Sequence, residues 1–445
     1  MKEMKQSVCF LMIILLLMAI FSGCIQEQQP PIPTLEEAAV DIVEMLMENN
    51  LTGVYTSFDD SLQSQLTAEQ FKGIWEQQVT PSYGSITNII RTQLTNDSMY
   101  SVVLVTCNFS KAGVFDVKIS FTSEQKIISL LVVPSQEVFP YTPPTYVNLS
   151  SFTEEDTTIG AGQWVLPATV SIPSGTGPFP AVILVHGSGP NDRDETYGPN
   201  KPFKDLAWGL ASQGIVVIRY EKRTKQYPAQ SAALQNFTVQ DETIDDALAA
   251  VDVLQNLSFV NVSQMFVLGH SLGGMLAPRI AAQDSRIAGL IILAGATRHL
   301  EDLLLDQTRY LLNLSGTNQT EQLEEIERIV AKIKNLDIND SETVLGTPKS
   351  YWVDLASYDP VETAQSLHIP LLILQGKRDY QVTMIDFARW NETFFDNASV
   401  QLKTYPSLNH FFMTGTGAPT NTEYLIESHV AEEVINDIAS WITEV

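Results

Sequence analysis

The amino-acid sequence predicts an α/β protein with a mostly parallel sheet, preceded by a small α+β domain. Its 445 residues exceed one ordinary domain, which favours two folded units. In the second part of the chain, short apolar runs alternate with helical stretches, and this alternation indicates a parallel sheet covered on both faces. The runs lie at 181–185, 215–220, 265–268, 288–293, 371–374 and 400–405, after an opening hairpin at 157–172.

Residues 1–24 have the pattern of a targeting segment. A positively charged start is followed by the apolar run Val8–Phe21, which is short for a membrane span. The run ends in Phe-Ser-Gly-Cys, which resembles a lipoprotein signal that would be lipidated at Cys24, although such signals usually have Leu where Phe21 stands. The alternative is an uncleaved short anchor. Both predict an exported protein anchored to the outer face of the cytoplasmic membrane, with 25–33 as a polar, proline-rich tether.

The chain is also rich in acceptor sites for N-glycosylation. Twelve of its twenty asparagines begin an Asn-x-Ser/Thr sequon, a density that favours glycosylation of an outward-facing surface. The twelve are Asn50, Asn96, Asn108, Asn148, Asn236, Asn256, Asn261, Asn313, Asn318, Asn339, Asn391 and Asn397.

A small α+β domain is predicted over 34–137. Apolar residues at helical spacing indicate helices, and period-two runs indicate strands that would form a curved antiparallel sheet. The predicted helices cover 35–47 and 68–77, and the predicted strands cover 86–94, 100–109, 114–121 and 126–133. A linker rich in Pro and Tyr follows over 138–152, and the α/β domain is predicted over 153–445.

Composition excludes several functions. The formal net charge of −26 repels phosphate backbones, so nucleic acid is not an expected partner. The three cysteines, Cys9, Cys24 and Cys107, form no C-x-x-C pair, and we expect Cys107 to be a small buried residue. No cluster of His, Cys and carboxylates suggests a metal site, so a metal is not expected. The sequence leaves the oligomeric state open.

The strongest motif is Gly-His-Ser-Leu-Gly at Gly269–Gly273, between a predicted strand and a predicted helix. This pattern is typical of a nucleophile elbow, in which the serine projects above the sheet edge and the next backbone N–H stabilises an oxyanion. It predicts Ser271 as the nucleophile and Leu272 N–H as one oxyanion donor. The turn His-Gly-Ser-Gly after the strand 181–185 predicts the second donor, the N–H of Ser188, with Gly189 as the alternative.

The acid and the base are predicted from their positions after later strands. Asp379 follows the strand 371–374, where the acid of a Ser-Asp-His triad belongs, and Asp359 and Asp386 are alternatives in helix or turn contexts. His410 follows the last strand and is predicted as the general base. Of the other histidines, His186 is expected to support its loop, and His429 is expected on the final helix.

At this point the chain resembles a known family. The segments Val185–Glu195, Gly198–Phe203 and Arg219–Arg223 are similar to those of α/β-hydrolase esterases related to the dienelactone hydrolases, and the resemblance covers about 153–445. It implies the α/β-hydrolase fold and a carboxylesterase that acts on small, short-acyl esters without a metal or cofactor. Dienelactone hydrolases use a cysteine nucleophile, whereas this chain has Ser271. The domain over 34–137 resembles a small domain of unknown function that often precedes such hydrolases.

The segment from about 297 to 365 interrupts the α/β alternation and predicts a helical cap over the site, with a packed surface subdomain that does not gate the site as the alternative. Helices are expected at 300–314 and 322–333, and Trp352 and Tyr358 are candidates to line the acyl pocket, with 191–195 on its other rim. A serine peptidase or acyltransferase that acts on cell-envelope material with the same triad remains the alternative function. A non-enzymatic binding protein on this scaffold is disfavoured by the complete triad.

Overall fold

This computed structural model describes residues 34–96, 101–111, 113–135, 141–315 and 320–445. The predicted targeting segment with Cys24 and the tether over 25–33 lie outside the described residues. The chain divides into two compact units, the first formed by most of the residues up to Val133 and the second by Pro134–Val445. Within the described ranges, no helix is both long and apolar enough to cross a membrane.

The first unit contains short helices followed by a four-stranded sheet in the order β1-β2-β3-β4. Its strands are β1 (Ile86–Asn96), β2 (Ser101–Phe109), β3 (Gly113–Phe121) and β4 (Ile127–Pro134), and β1 pairs antiparallel with β2. Its helices are α1 (Leu35–Met47), α2 (Leu51–Thr56), α3 (Asp60–Gln65), α4 (Ala68–Ile74) and α5 (Thr80–Tyr83), with a π-helical turn at Trp75–Val79. The predicted α+β class is confirmed for this part of the chain.

Local sequence signals explain where α1 begins and what it buries. Thr34 and Glu37 form a capping box, in which each side chain accepts a hydrogen bond from the other residue's backbone N–H. The buried face of α1 consists of Ala39, Ile42, Val43 and Leu46, which follow helical spacing. In contrast, α2 and α3 have only 6 residues each, too short to give a periodic signal, and were not predicted.

The second unit is built on an eight-stranded sheet with the order β14-β13-β10-β9-β7-β8-β6-β5. Only β5–β6 and β6–β8 pair antiparallel, so the predicted mostly parallel sheet is confirmed. The strands of this sheet are β5 (Phe152–Ile159), β6 (Leu166–Pro173), β7 (Phe179–Val185), β8 (Val216–Tyr220), β9 (Val260–His270), β10 (Ile287–Leu293), β13 (Leu371–Gly376) and β14 (Val400–Tyr405). Two short strands, β11 (Thr343–Val344) and β12 (Thr347–Pro348), form a separate two-stranded sheet.

Helices cover both faces of this sheet, and two buried apolar clusters fill the space between them. The central strands are buried on both faces, as expected for a doubly covered parallel sheet. The helices are α6 (Pro202–Ser212), α7 (Arg223–Gln226), α8 (Pro228–Ala232), α9 (Asp245–Gln255), α10 (Leu272–Ala281), α11 (Leu300–Ser315), α12 (Thr320–Lys334), α13 (Lys349–Ala356), α14 (Pro360–Ser366), α15 (Met384–Phe394) and α16 (Glu432–Glu444).

The predicted linker differs from a free tether where the structure describes it. Tyr141 donates its hydroxyl hydrogen bond to Asp205 at 2.6 Å, and Tyr146 donates one to the carbonyl oxygen of Val430 at 2.8 Å. Burial raises the pKa of both phenols well above the ordinary value. Because aromatic rings gain free energy by leaving water, residues 141–149 pack on the second unit and belong to it.

Candidate active site

The candidate nucleophile lies at a tight turn between a buried strand and a buried helix. β9 ends at His270, Ser271 adopts φ 54° and ψ −115°, and α10 begins at Leu272. A positive φ is strained for serine, and this strain is typical of a nucleophile elbow. A Cβ added to Gly269 would lie 2.2 Å from the carbonyl oxygen of Gly273, so only glycine fits at this position. The small residues therefore allow the turn that lifts Ser271 above the sheet edge.

Asp379 and His410 form a direct pair on neighbouring loops. Asp379 Oδ2 lies 2.7 Å from His410 Nδ1, and the aspartate side chain is fully buried. The backbone N–H groups of Gln381 and Val382 donate to Asp379 Oδ1 at 2.8 and 2.9 Å, and Gln375 Nε2 donates to Oδ2 at 3.1 Å. This carboxylate therefore has every oxygen satisfied and one oxygen committed to the imidazole, the arrangement that fixes a histidine's tautomer.

The loop that carries His410 also touches the elbow. His270 Nε2 lies 3.0 Å from the carbonyl oxygen of His410, and the two imidazole rings are 4.7 Å apart between centroids. These contacts bring His410 against His270, the residue that precedes Ser271 in the elbow. The hydroxyl of Ser271 makes no hydrogen bond to His410 within the described residues, and such bonds are often long before substrate binds.

Asp359 and Asp386, the two alternative triad acids, each bind other partners in the structure. Asp359 caps α14 by accepting two backbone N–H bonds and forms an ion pair with Arg389. Asp386 lies at the start of α15, fully buried, and pairs with Arg298 at 2.8 Å. Neither carboxylate contacts His410 through any described hydrogen bond or ion pair.

Two other histidines, His186 and His429, were assigned places from the sequence. His186 is buried with Nε2 3.0 Å from the carbonyl oxygen of Asp192, and burial lowers its pKa to about 4, so it is neutral near pH 7. The prediction that His429 lies on the final helix was wrong, because α16 begins only at Glu432. Instead, His429 Nδ1 contacts Asp205 at 3.1 Å, and the same carboxylate holds the chain extended there by accepting the N–H of Val430.

Both predicted oxyanion donors lie beside Ser271. Leu272 is the first residue of α10, so its N–H has no partner four residues earlier within the helix. A Cβ added to Gly187 would be 3.2 Å from Ser271 Cβ, which shows how closely this loop approaches the nucleophile. No described residue accepts a hydrogen bond from the N–H of Ser188, and Ser188 and Ser271 line the same cleft. Two free donors therefore adjoin the nucleophile.

A second carboxylate–histidine pair, Glu195 and His270, lies behind the elbow, and sequence reasoning missed it. Glu195 Oε1 accepts the N–H of Gly187 at 2.7 Å, and Oε2 lies 2.9 Å from His270 Nδ1. The two buried atoms are close but poorly aligned for a hydrogen bond, so we regard the contact as an ion pair. His270 Nε2 must carry a proton, because it faces the carbonyl oxygen of His410. His270 Nδ1 faces the carboxylate of Glu195, which favours a second proton there and hence the imidazolium form of His270.

The pKa values of this pair follow from the same contacts. Burial alone would raise the pKa of Glu195 and lower that of His270. The attraction between the two charges outweighs burial, so the pKa of Glu195 is lowered and that of His270 is raised. Glu195 thereby holds Gly187 within their shared loop, residues 186–201 (the oxyanion loop), and links this loop through His270 to the elbow and to the loop of His410.

A buried lysine was also missed. Lys222 Nζ donates to the carbonyl oxygen of Gly187 at 2.7 Å and lies 2.7 Å from Glu242 Oε1. Glu242 also accepts a 2.7 Å hydrogen bond from the hydroxyl of Tyr351. Lys222 and Glu195 lie in the segments on which the family resemblance rests, and that membership was the only signal in the sequence that could have found them.

A cleft of about 1390 Å³ opens over the elbow within the second unit. Its walls include Ser188 and Ser271 on one side and Leu303 and Trp352 from the cap region on others. Trp352 therefore lines the cleft as expected. Tyr358 does not, because it is turned towards α10, where its hydroxyl donates to the carbonyl oxygen of Met275 at 2.8 Å.

The predicted rim over 191–195 is not among the residues that line the cleft. Its charges are directed into ion pairs instead: Arg193 contacts Glu221 at 2.8 Å, and Asp194 contacts Arg219 at 2.8 Å. A buried carboxylate is stable when a cation neutralises it, so this segment braces the loop rather than facing a substrate.

Similarity to known proteins extends over most of the chain. Residues 178–415 match the model of a hydrolase family described as serine aminopeptidase, S33, and residues 39–130 match a family of unknown function, DUF3887. Over 409 residues the chain is 36% identical to esterase EstD of Thermotoga maritima, an alignment that covers 92% of this chain and 95% of that relative.

Solved structures with related folds include two esterases. Est1E from Butyrivibrio proteoclasticus has 16% identity and a TM-score of 0.45, over 65% of this chain and 99% of that chain. A hyperthermophilic esterase from the archaeon Pyrobaculum calidifontis has 18% identity and a TM-score of 0.43, over 66% of this chain and 85% of that chain.

Proposed function

We propose that this chain, which belongs to the α/β-hydrolase family described as serine aminopeptidase, S33, is a carboxylesterase with Ser271 as its nucleophile. The observation that carries the proposal is the 2.7 Å contact between Asp379 and His410, beside a serine held in a strained elbow. Esterase EstD, with which the chain shares 36% identity over nearly its whole length, supports ester cleavage as the reaction.

The geometry supports an acyl-enzyme mechanism. His410 Nδ1 is bound to Asp379, so its Nε2 is free to accept the hydroxyl proton as Ser271 Oγ attacks the ester carbonyl. The carbonyl oxygen becomes an oxyanion, which the N–H groups of Ser188 and Leu272 stabilise. The C–O bond of the ester then breaks, and the leaving alkoxide takes the proton from His410. Water repeats the cycle on the acyl-enzyme and releases the carboxylic acid and Ser271.

The proposed substrate class is a small ester. The family description suggests a competing substrate class, an aminoacyl amide. An aminopeptidase must bind a free amino group, and Asp340 and Glu342 on the cleft wall are acidic. However, Glu342 pairs with Lys332 at 2.5 Å, and the buried Glu242 is neutralised by Lys222. Asp340 has no ion pair among the described residues, but it is exposed to solvent, so the buried acidic side chain of the cleft is the neutralised Glu242, which favours an uncharged ester.

A substrate panel tests this choice. The protein is assayed with p-nitrophenyl esters of two to eight acyl carbons and with aminoacyl p-nitroanilides, and Ser271→Ala is measured beside it. We expect ester hydrolysis that is lost in Ser271→Ala, and kcat/KM for the esters at least about 100-fold above that for the anilides. Higher kcat/KM for the anilides would identify a peptidase, and unchanged ester hydrolysis in Ser271→Ala would refute the site.

We also propose that the protein is exported and anchored to the outer face of the cytoplasmic membrane by its N-terminus. The proposal rests on the sequence of residues 1–24 alone. Lipidation of Cys24 predicts that the protein partitions into detergent and that Cys24→Ser abolishes incorporation of labelled fatty acid, whereas Cys9→Ser does not. Anchoring that persists in Cys24→Ser at full precursor mass would indicate the uncleaved anchor instead.

Glycosylation is the third part of the proposal. Of the ten sequon asparagines whose exposure the structure describes, eight are exposed, and Asn108 and Asn261 are partly buried. This distribution supports access by a glycosyltransferase. Glycopeptide mass spectrometry of the native protein should find glycans on exposed sequons such as Asn391 and none on the exposed Asn49, which lacks a sequon. Unmodified peptides at every sequon would contradict it.

A further inference from the structure

We propose that Lys222 is a positioning residue for the oxyanion site. Its ammonium group fixes the peptide unit between Gly187 and Ser188, so that the N–H of Ser188 faces the reacting carbonyl. The inference rests on the proposed serine hydrolase function and adds a residue to it. Lys222 follows β8 in a segment to which the triad gives no role.

The geometry of one peptide unit carries the inference. Lys222 Nζ donates to the carbonyl oxygen of Gly187 at 2.7 Å, and its side chain is 2% exposed. In a planar trans peptide the C=O and the following N–H point in opposite directions. Holding the carbonyl of Gly187 towards Lys222 therefore turns the N–H of Ser188 away from the lysine. That N–H has no acceptor among the described residues, and Ser188 lines the cleft of Ser271.

The charge of Lys222 also acts through the peptide. A cation at the carbonyl oxygen draws electron density from the amide, and hydrogen bonds in a chain strengthen one another at low dielectric. The N–H of Ser188 thus becomes a stronger donor for an oxyanion. Asn191 Nδ2 also donates to the Gly187 carbonyl, at 3.2 Å, but it is neutral. Among the described residues, Lys222 is the charged donor to this oxygen.

Burial of the ammonium group is compensated by a defined set of partners. Glu242 Oε1 lies 2.7 Å from Lys222 Nζ, and Tyr351 on α13 donates its hydroxyl to Glu242 Oε2 at 2.7 Å. Removing Lys222 alone would leave the carboxylate of Glu242 buried without a counter-charge, which is strongly destabilising. A test must therefore remove both charges together.

The chain offers a matched control. Arg223 and Asp246 form another buried ion pair, with 2.5 Å between Nη2 and Oδ1 and side-chain exposures of 5% and 2%. Neither residue has a described hydrogen bond to the oxyanion loop. The experiment compares two double variants, Lys222→Met with Glu242→Gln, and Arg223→Met with Asp246→Asn. For each we would measure the melting temperature, kcat and KM on one p-nitrophenyl ester, and the affinity for an alkyl boronic acid, which mimics the tetrahedral intermediate.

Removal of one oxyanion donor costs roughly 100- to 1,000-fold in kcat, and Lys222 acts through one such donor. We expect the Lys222 pair variant to lose about 10- to 100-fold in kcat and a similar factor in boronic acid affinity, with KM changed less than about threefold. The Arg223 pair variant should melt at a similar temperature and keep kcat. A kcat for the two pair variants within about threefold of each other would overturn the inference.

Two further measurements separate the possible failures. Ester hydrolysis by the wild-type protein that is lost in Ser271→Ala shows that the proposed function holds, so an unaffected Lys222 variant then refutes this inference alone. A crystal structure of the wild-type protein phosphonylated at Ser271 needs no Lys222 variant to fold. It should show a phosphonyl oxygen about 3 Å from Ser188 N, with Lys222 still on the Gly187 carbonyl. A Gly187 carbonyl turned away from Lys222 in that adduct would also overturn it.

Discussion

Replacing Asp379 by asparagine should reverse the hydrogen-bond polarity at His410, the proposed general base. Two backbone N–H groups donate to Asp379 Oδ1, so the asparagine oxygen would be held in that place and the NH₂ would take the position of Oδ2. That NH₂ would face His410 Nδ1 across 2.7 Å. Because two donors cannot bond, the histidine would carry its proton on Nε2, the atom that must accept the proton of Ser271.

The expected loss in kcat is of order 10,000-fold, the effect of a wrong histidine tautomer in a triad. At about 1.36 kcal/mol for each factor of ten, this equals about 5 kcal/mol of transition-state stabilisation. KM should change little, because Asp379 touches the histidine and not the ester. The NH₂ would also oppose Gln375 Nε2, so we expect a lower melting temperature and a cost of about 1–3 kcal/mol in stability.

The assay compares kcat and KM of Asp379→Asn, Asp359→Asn and the wild-type protein on one short-chain p-nitrophenyl ester, with melting curves to check folding. Asn is also a good N-cap, so Asp359→Asn should keep kcat within about threefold while losing only a half-exposed ion pair. If folded Asp379→Asn kept kcat within about tenfold of the wild type, the acid would be misassigned.

Two further predictions concern stability and the extent of the catalytic unit. Glu195→Gln removes the ion pair between Glu195 and His270. The stability that this pair contributes is lost as pH falls through the lowered pKa of Glu195, and it is lost as pH rises through the raised pKa of His270. Melting curves should therefore show the widest gap from wild type between the ordinary values of 4.5 and 6.5, and an equal or wider gap at about pH 9 would contradict this. A fragment 134–445 should hydrolyse a small ester at close to the full rate, whereas 148–445, which lacks Tyr146, should melt lower; a hundredfold slower 134–445 fragment would implicate the first unit in the site.

The positions of the three proposed triad residues could be predicted from sequence because parallel strands bring their carboxyl ends to one edge of a sheet. Ser271, Asp379 and His410 each follow a short run that forms a strand, and these strands, β9, β13 and β14, lie in the half of the sheet that ends at the edge strand β14. Position along the chain therefore determined position in space. The elbow added a local signal, since its glycines are required by contacts below 3 Å with backbone atoms.

Residues that act through partners from other loops could not be found in this way. Glu195, His270 and Lys222 are ordinary polar residues in their own segments. Their roles arise only from contacts made in the folded protein, those of Glu195 with Gly187 and His270 and that of Lys222 with Gly187. No spacing or period records such a contact. The same limit explains the error at Tyr358, because its position between two helices does not say which neighbour its side chain will contact.

Covalent labelling tests the central claim most directly, that Ser271 is the activated nucleophile of a serine hydrolase. The native protein is treated with a fluorophosphonate, and the modified residue is identified by intact mass and peptide mapping. We predict one adduct, on Ser271, with no adduct on folded Ser271→Ala and much slower labelling of His410→Ala. Labelling of Ser271→Ala at another residue, or ester hydrolysis by a wild-type protein that the probe leaves unmodified, would contradict the account.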